Sequence, residues 1–177
     1  MIKAFDGHEP AICESSSICQ TVCIIGDVQI GDHSGILPGA VIRGDFAPIR
    51  IGRNSFIEDN CVVHSGTPLE IGDNVIVGHN AVIHGRKIGN NTLIGNNATI
   101  LDNSEIGDSC IIGAGCVVGA GMKIPDRSLV VGVPGKIQGQ VKSGSMKTHE
   151  AGIQCYLELM DKYRKQGILL STHHRSL

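Results

Sequence analysis

Starting at Ile88 and stepping by six, the chain places a β-branched residue at every stop: Ile88, Ile94, Ile100, Ile106, Ile112, Val118, Ile124 and Val130. The same step runs through three earlier blocks: Ile71, Val77 and Ile83; Ile51, Ile57 and Val63; and Ile18, Ile24, Ile30, Ile36 and Ile42. A period of six walks around a 3.6-residue helix, so no helix face collects these side chains. It suits a very short strand followed by a corner. The corners are visible as Gly31-Asp32, Gly72-Asp73-Asn74, Gly89-Asn90-Asn91 and Gly107-Asp108, residue types that readily take the positive φ of tight turns. Three such units make one triangular coil of about eighteen residues, and coils stack about 4.8 Å apart with each inward Ile on another. The expected fold is therefore all-β, a single-stranded parallel β-helix.

Composition agrees. With an aromatic fraction of 3% and no Trp, burial must come from Ile, Val, Leu and Ala in a narrow, regular space. The 24 glycines fit a chain full of corners. Lys and Arg total 15 against 17 for Asp and Glu, with no basic run, which argues against a nucleic-acid partner. The start of the chain has no signal-peptide pattern, and no apolar run approaches bilayer length. A cytoplasmic protein without a membrane partner is expected. Seven cysteines without C-x-x-C spacing read as small core residues, neither a disulfide framework nor a zinc ribbon.

The period ends after Val131-Gly132-Val133-Pro134-Gly135-Lys136. These limits divide the chain into a β-helix over 1–138, a connector over 139–147, an α-helix over 148–167 and a flexible tail over 168–177. Ile153, Tyr156, Leu157, Met160 and Tyr163 fall at helical spacing, as a packing face against the β-helix, and Gly167 is a natural stop.

Three interruptions of the period carry the polar chemistry. Ile42 to Ile51 brackets Arg43-Gly44-Asp45, Val63 to Ile71 brackets His64-Ser65-Gly66, and Ile83 to Ile88 brackets His84-Gly85-Arg86. Each is expected to project as a loop from a continuous core. Val63 and Ile83 are one coil apart once the slip after Val63 is removed, so His64 and His84 should stack on adjacent coils, facing outward. Side chains on neighbouring strands can converge on one ion. His79 lies one side of the triangle earlier and could reach that ion only from a second subunit packed about a threefold axis. A lone surface histidine carries no such meaning, and His8, His33, His149, His173 and His174 show no comparable placement.

Three segments resemble the γ-class carbonic anhydrases and relatives encoded with phenylacetate and carnitine degradation genes or once called ferripyochelin-binding. They are Val41-Ile42-Arg43-Gly44-Asp45, Ile57-Glu58-Asp59-Asn60-Cys61-Val62-Val63-His64, and Gly78-His79-Asn80-Ala81-Val82-Ile83-His84-Gly85. The resemblance covers roughly 8–137. It implies a left-handed coil and a homotrimer whose metal is held by residues matching His64 and His84 of one subunit and His79 of the next. Zn2+ is the implied cofactor, with Fe2+ or Co2+ also suited to imidazole ligands. Carbon dioxide and bicarbonate are the implied substrate pair. Residues matching Arg43, Asp45 and Asp59 surround the family's site, from which an Arg43–Asp59 pair ordering the interface, with Asp45 accepting hydrogen bonds nearby, is expected. The family usually has Gln where this chain has Glu58, the residue that orients the metal-bound water. An ionised Glu58 accepts a hydrogen bond but cannot donate one. Two other readings stay open: an acyltransferase using acyl-CoA, suggested by Val133-Pro134-Gly135-Lys136, and a non-catalytic metal-binding scaffold, suggested by Glu58.

Overall fold

The computed structural model describes residues 1–170. Short parallel strands wind into a β-helix followed by one α-helix, Ser143–Lys165. Every residue of the six-step series is buried, from Ile18 at 0% exposed to Ile124 at 4%. They form one continuous core column with small corner residues such as Ala81, Ala98, Cys61, Cys110 and Cys116. Cys19 joins that core, whereas Cys155 is exposed on the helix, contrary to a core role.

Each coil presents one outward residue per side, and the register makes three faces of different chemistry. On the first, Val41, Val62, Val82, Thr99 and Val117 stack in order. The second is a ladder of Arg50, Glu70, Lys87, Glu105 and Lys123, alternating in sign, which suits water. The third stacks Phe56, Ile76, Leu93, Ile111 and Leu129. The helix lies on this third face. Ile153 and Met160 pack with Leu37, Phe56 and Ile76, and Tyr156 stacks on Phe56 with ring centroids 5.0 Å apart. Gly35 permits the approach, because a Cβ there would stand 2.7 Å from the Phe56 ring and 3.2 Å from the Met160 sulfur.

Four expectations change. Arg43-Gly44-Asp45 is not a projecting loop: it lies within an eleven-residue strand, Val41–Ile51, paired along most of its length with Cys23–Ile30. The chain turns that corner as continuous strand, and the core resumes at Ile49. The helix starts at Ser143, inside the expected connector, and residues 136–140 form a strand antiparallel to Ser128–Val131. His149 lies within the expected helix. It is buried, and its Nε2 donates to the Asn74 carbonyl at 2.8 Å, tying the first helical turns to a β-helix corner. Finally, 168–170 are not free tail: Leu169 joins the core and Leu170 donates its N–H to Ile18 at 2.8 Å. The rest of that expected tail, with His173 and His174, lies outside the described residues. Gly167 ends the helix with φ +70°, as expected.

Candidate metal centre

Strand Val62–His64 pairs with Val82–Ile83 so that Val63 faces Ile83, the register deduced from the period. His64 and His84 therefore follow on adjacent coils, with ring centroids 5.3 Å apart in an edge arrangement. Two imidazoles at this spacing can present nitrogens to one cation. His84 Nδ1 is 2.8 Å from Asp102, which leaves Nε2 for a ligand role. His64 differs, because its Nε2 lies 3.0 Å from Asp45. For the pair to share an ion, Asp45 must release that nitrogen or His64 must present Nδ1.

Asp45 is anchored from its other oxygen by Arg43. Burial opposes ionisation of Asp45, but Arg43, a backbone N–H and His64 outweigh it, so its carboxyl is held below the usual range. The partner of Arg43 within the chain is thus Asp45 and not Asp59. Gly44 is what allows this stretch of strand to lie flat, since a Cβ would stand 2.4 Å from the Asp27 carbonyl oxygen. Phe46 extends from the same strand with 77% exposure, its ring edge-on to His64 at 5.4 Å. A groove of about 260 Å³ lies between the N-terminal turn and this strand, lined by Phe5, His8, Asp27, Asp45 and Phe46.

His79 occupies a different corner. Asn80, in the left-handed region at φ +58°, closes a turn that carries His79 outward. Its Nδ1 is 2.8 Å from Asp59 and its Nε2 3.0 Å from Glu58. Glu58 is 5% exposed. Its Oε2 accepts the His79 backbone N–H at 3.1 Å, and its Oε1 accepts the Tyr156 hydroxyl at 2.5 Å. Burial, then Glu58 itself, pushes the Tyr156 phenol far up, so it remains a donor. The expected site residues therefore fall into two groups, Arg43, Asp45, His64 and His84 on one hand and Glu58, Asp59 and His79 on the other. Among the described residues, no three His, Cys, Asp or Glu side chains within the single chain could hold a metal ion together. Imidazole and carboxylate donors of this kind suit a divalent ion.

The sequence alone does not mark Asp102, Phe46 or Tyr156 as site residues. Asp102 lies one coil beyond His84, which is a usable signal. Tyr156 was legible only as part of the packing face of the helix.

Comparison with known proteins decides the family. A protein of Methanocaldococcus jannaschii named "Probable carbonic anhydrase" is 45% identical over 85% of this chain and 96% of its own length. The chain belongs to the γ-class carbonic anhydrase-like family of hexapeptide-repeat proteins. A Geobacillus kaustophilus protein named carbonic anhydrase is 43% identical, over 42% of each chain. Models of the bacterial transferase hexapeptide match residues 87–120, and of the hexapeptide repeat of succinyl-transferase 48–84 and 68–102. Among solved structures, a Bacillus cereus protein assigned as an acetyltransferase superposes with a TM-score of 0.89 at 36% identity, covering 94% of this chain and 98% of its own. A hexapeptide transferase family protein of Anaplasma phagocytophilum gives 0.88 at 28% identity, over 92% and 98%. No described helix is long and apolar enough to cross a membrane.

Proposed function

We propose that this chain forms a homotrimer with a divalent-ion site at each subunit contact, and that its activity is the reversible hydration of carbon dioxide. His64 and His84 of one subunit and His79 of the next would hold the ion, with zinc the default and iron or cobalt compatible. The observation that carries the reading is the His64–His84 pair, stacked in register beside an apolar face. On that face Val62 and Val82 are 38% and 37% exposed, and a second copy would cover them. When bound, such an ion supplies hydroxide near neutral pH for addition to carbon dioxide.

The chain's own residues perform the remaining work. Asp102 and Asp59 would accept hydrogen bonds from Nδ1 of His84 and His79, fixing ring orientation; that leaves Nε2 of His84 free to bind and Nε2 of His79 beside Glu58. Arg43 fixes Asp45 beside His64, so the charge nearest that ring is already balanced. Phe46 places an apolar edge at the mouth of the site, suited to an uncharged, apolar substrate.

Metal content, assembly mass and stopped-flow hydration of carbon dioxide test this together. One ion per chain, a trimeric mass, and loss of both metal and hydration in His84→Ala support it. Absence of stoichiometric metal after anaerobic purification overturns it. The Bacillus cereus likeness favours a second reading, acyl transfer from an acyl-CoA, which also has the Val133-Pro134-Gly135-Lys136 segment behind it. Acetyl-CoA binding by calorimetry would promote it. Stoichiometric metal without hydration would favour a scaffold.

A further inference from the structure

Glu58 is a buried carboxylate whose two hydrogen-bond donors, the Tyr156 hydroxyl and the His79 backbone N–H, are both neutral. Asp45, in a similar position against His64, has the guanidinium of Arg43. Among the described residues the ion-pair partner of Glu58 is His79 alone. A buried charge without a permanent counter-charge is costly, and a group that supplies one is strongly favoured there.

The His79 ring sharpens the demand. A neutral imidazole has one N–H and one lone pair. With the N–H directed at Asp59, the lone pair of Nε2 faces Glu58 Oε2 across 3.0 Å. In that tautomer two lone pairs repel unless a cation lies between them; in the other, Nε2–H donates to Glu58 and the Nδ1 lone pair faces the Asp59 carboxylate across 2.8 Å. A proton can serve, but a protonated ring cannot ligate a metal. Donors bound at about 2.1 Å stand about 3.0 Å apart when they subtend a right angle at the ion, and about 3.4 Å apart at a tetrahedral angle.

We propose that Glu58 is itself a metal ligand, entering the coordination sphere beside His79 of its own chain. This inference rests on the reading in which His79 serves an ion. The set is then three imidazoles and one carboxylate, and a water bound beside them makes the ion five-coordinate. The added negative charge lowers the charge of the site by one, which weakens binding of anions. Tyr156, by holding Oε1, leaves only Oε2 to bind and fixes its direction.

The test uses the intact protein, stripped of metal and loaded with Co2+, alongside Glu58→Gln, which keeps the shape and the acceptor for Tyr156. Visible d–d absorption reports coordination number without any assay of activity. The wild type is expected to show the weak bands of five- or six-coordinate cobalt. Glu58→Gln is expected to show bands several-fold stronger, from four-coordinate cobalt, and to bind thiocyanate more tightly. Identical spectra in the two proteins would place Glu58 outside the coordination sphere and overturn the proposal while leaving the histidine site standing. Failure of both correctly folded proteins to bind cobalt would overturn the histidine site and this proposal with it. X-ray absorption on the zinc-loaded wild type gives an independent count. A first shell of five light-atom ligands that falls to four in Glu58→Gln supports the proposal, and the same count in both proteins refutes it.

Discussion

Replacing Tyr156 by Phe removes one oxygen and leaves the ring stacked on Phe56, so it isolates the hydrogen bond to Glu58. The acceptor is a carboxylate 5% exposed, and water cannot readily replace the lost donor. A hydrogen bond to a charged group contributes about 1.5–3 kcal/mol, which sets an expected loss of about 2 kcal/mol. For a chain of this size that is a fall of about 4–8 °C in Tm. Urea denaturation of wild type, Tyr156→Phe, Glu58→Gln and the double variant forms a cycle. In the Glu58→Gln background the acceptor is neutral, so the Tyr156→Phe loss should shrink to about 1 kcal/mol, the usual range for a neutral pair. A Tyr156→Phe variant within 0.5 kcal/mol of wild type, or an equal loss in both backgrounds, would refute the claim that the helix anchors a buried carboxylate.

Other expectations follow from the same contacts. Ile100→Ala, fully buried between Ile83 and Val118 in the core column, should lose about 3–4 kcal/mol in urea denaturation with the β-sheet circular dichroism retained. Gly44→Ala forces a methyl against the Asp27 carbonyl, so it should cost about 2–3 kcal/mol and separate the two long strands, read as faster hydrogen exchange in 23–30 and 41–51. Asp27 accepts a hydrogen bond from Arg50, which lowers its carboxyl below the usual value. A lowered folded pKa means that its stabilisation is present above the unfolded value of about 3.9 and fades as pH falls through the folded one. Asp27→Asn should therefore lose only about 0.5 kcal/mol at pH 7, because both partners are partly exposed, and nothing once the wild-type carboxylate is protonated.

The period of six was enough to place the core and to align His64 with His84, because an inward Ile every six residues leaves one register for stacked coils. It also placed His79 on another corner. What it did not carry were contacts made between elements far apart in sequence. Tyr156 meets Glu58 only because the helix folds back over the third face, and one sequence cannot show which helical residue will arrive there. Within one chain Arg43 meets Asp45, since the expected loop is a strand that brings these two side chains to the same side. The helix begins among Ser143-Gly144-Ser145, poor helix formers by propensity, so its first turn is not legible from local preference. Leu169 was expected in a flexible tail, yet the first coil leaves apolar surface at its end that this residue covers.

The central claim is that one metal site is built from two chains, and mixed trimers test it most directly. His79→Ala subunits retain His64 and His84, and His84→Ala subunits retain His79. Neither variant alone should hold metal at its sites. If the ligands come from neighbouring chains, each trimer containing both variants regains a single complete site wherever a His79→Ala subunit is followed by a His84→Ala subunit. Metal analysis of mixed trimers, separated by differential tags, should then give one ion per trimer with hydration activity restored in proportion. Mixed trimers as empty of metal as either parent would contradict the account.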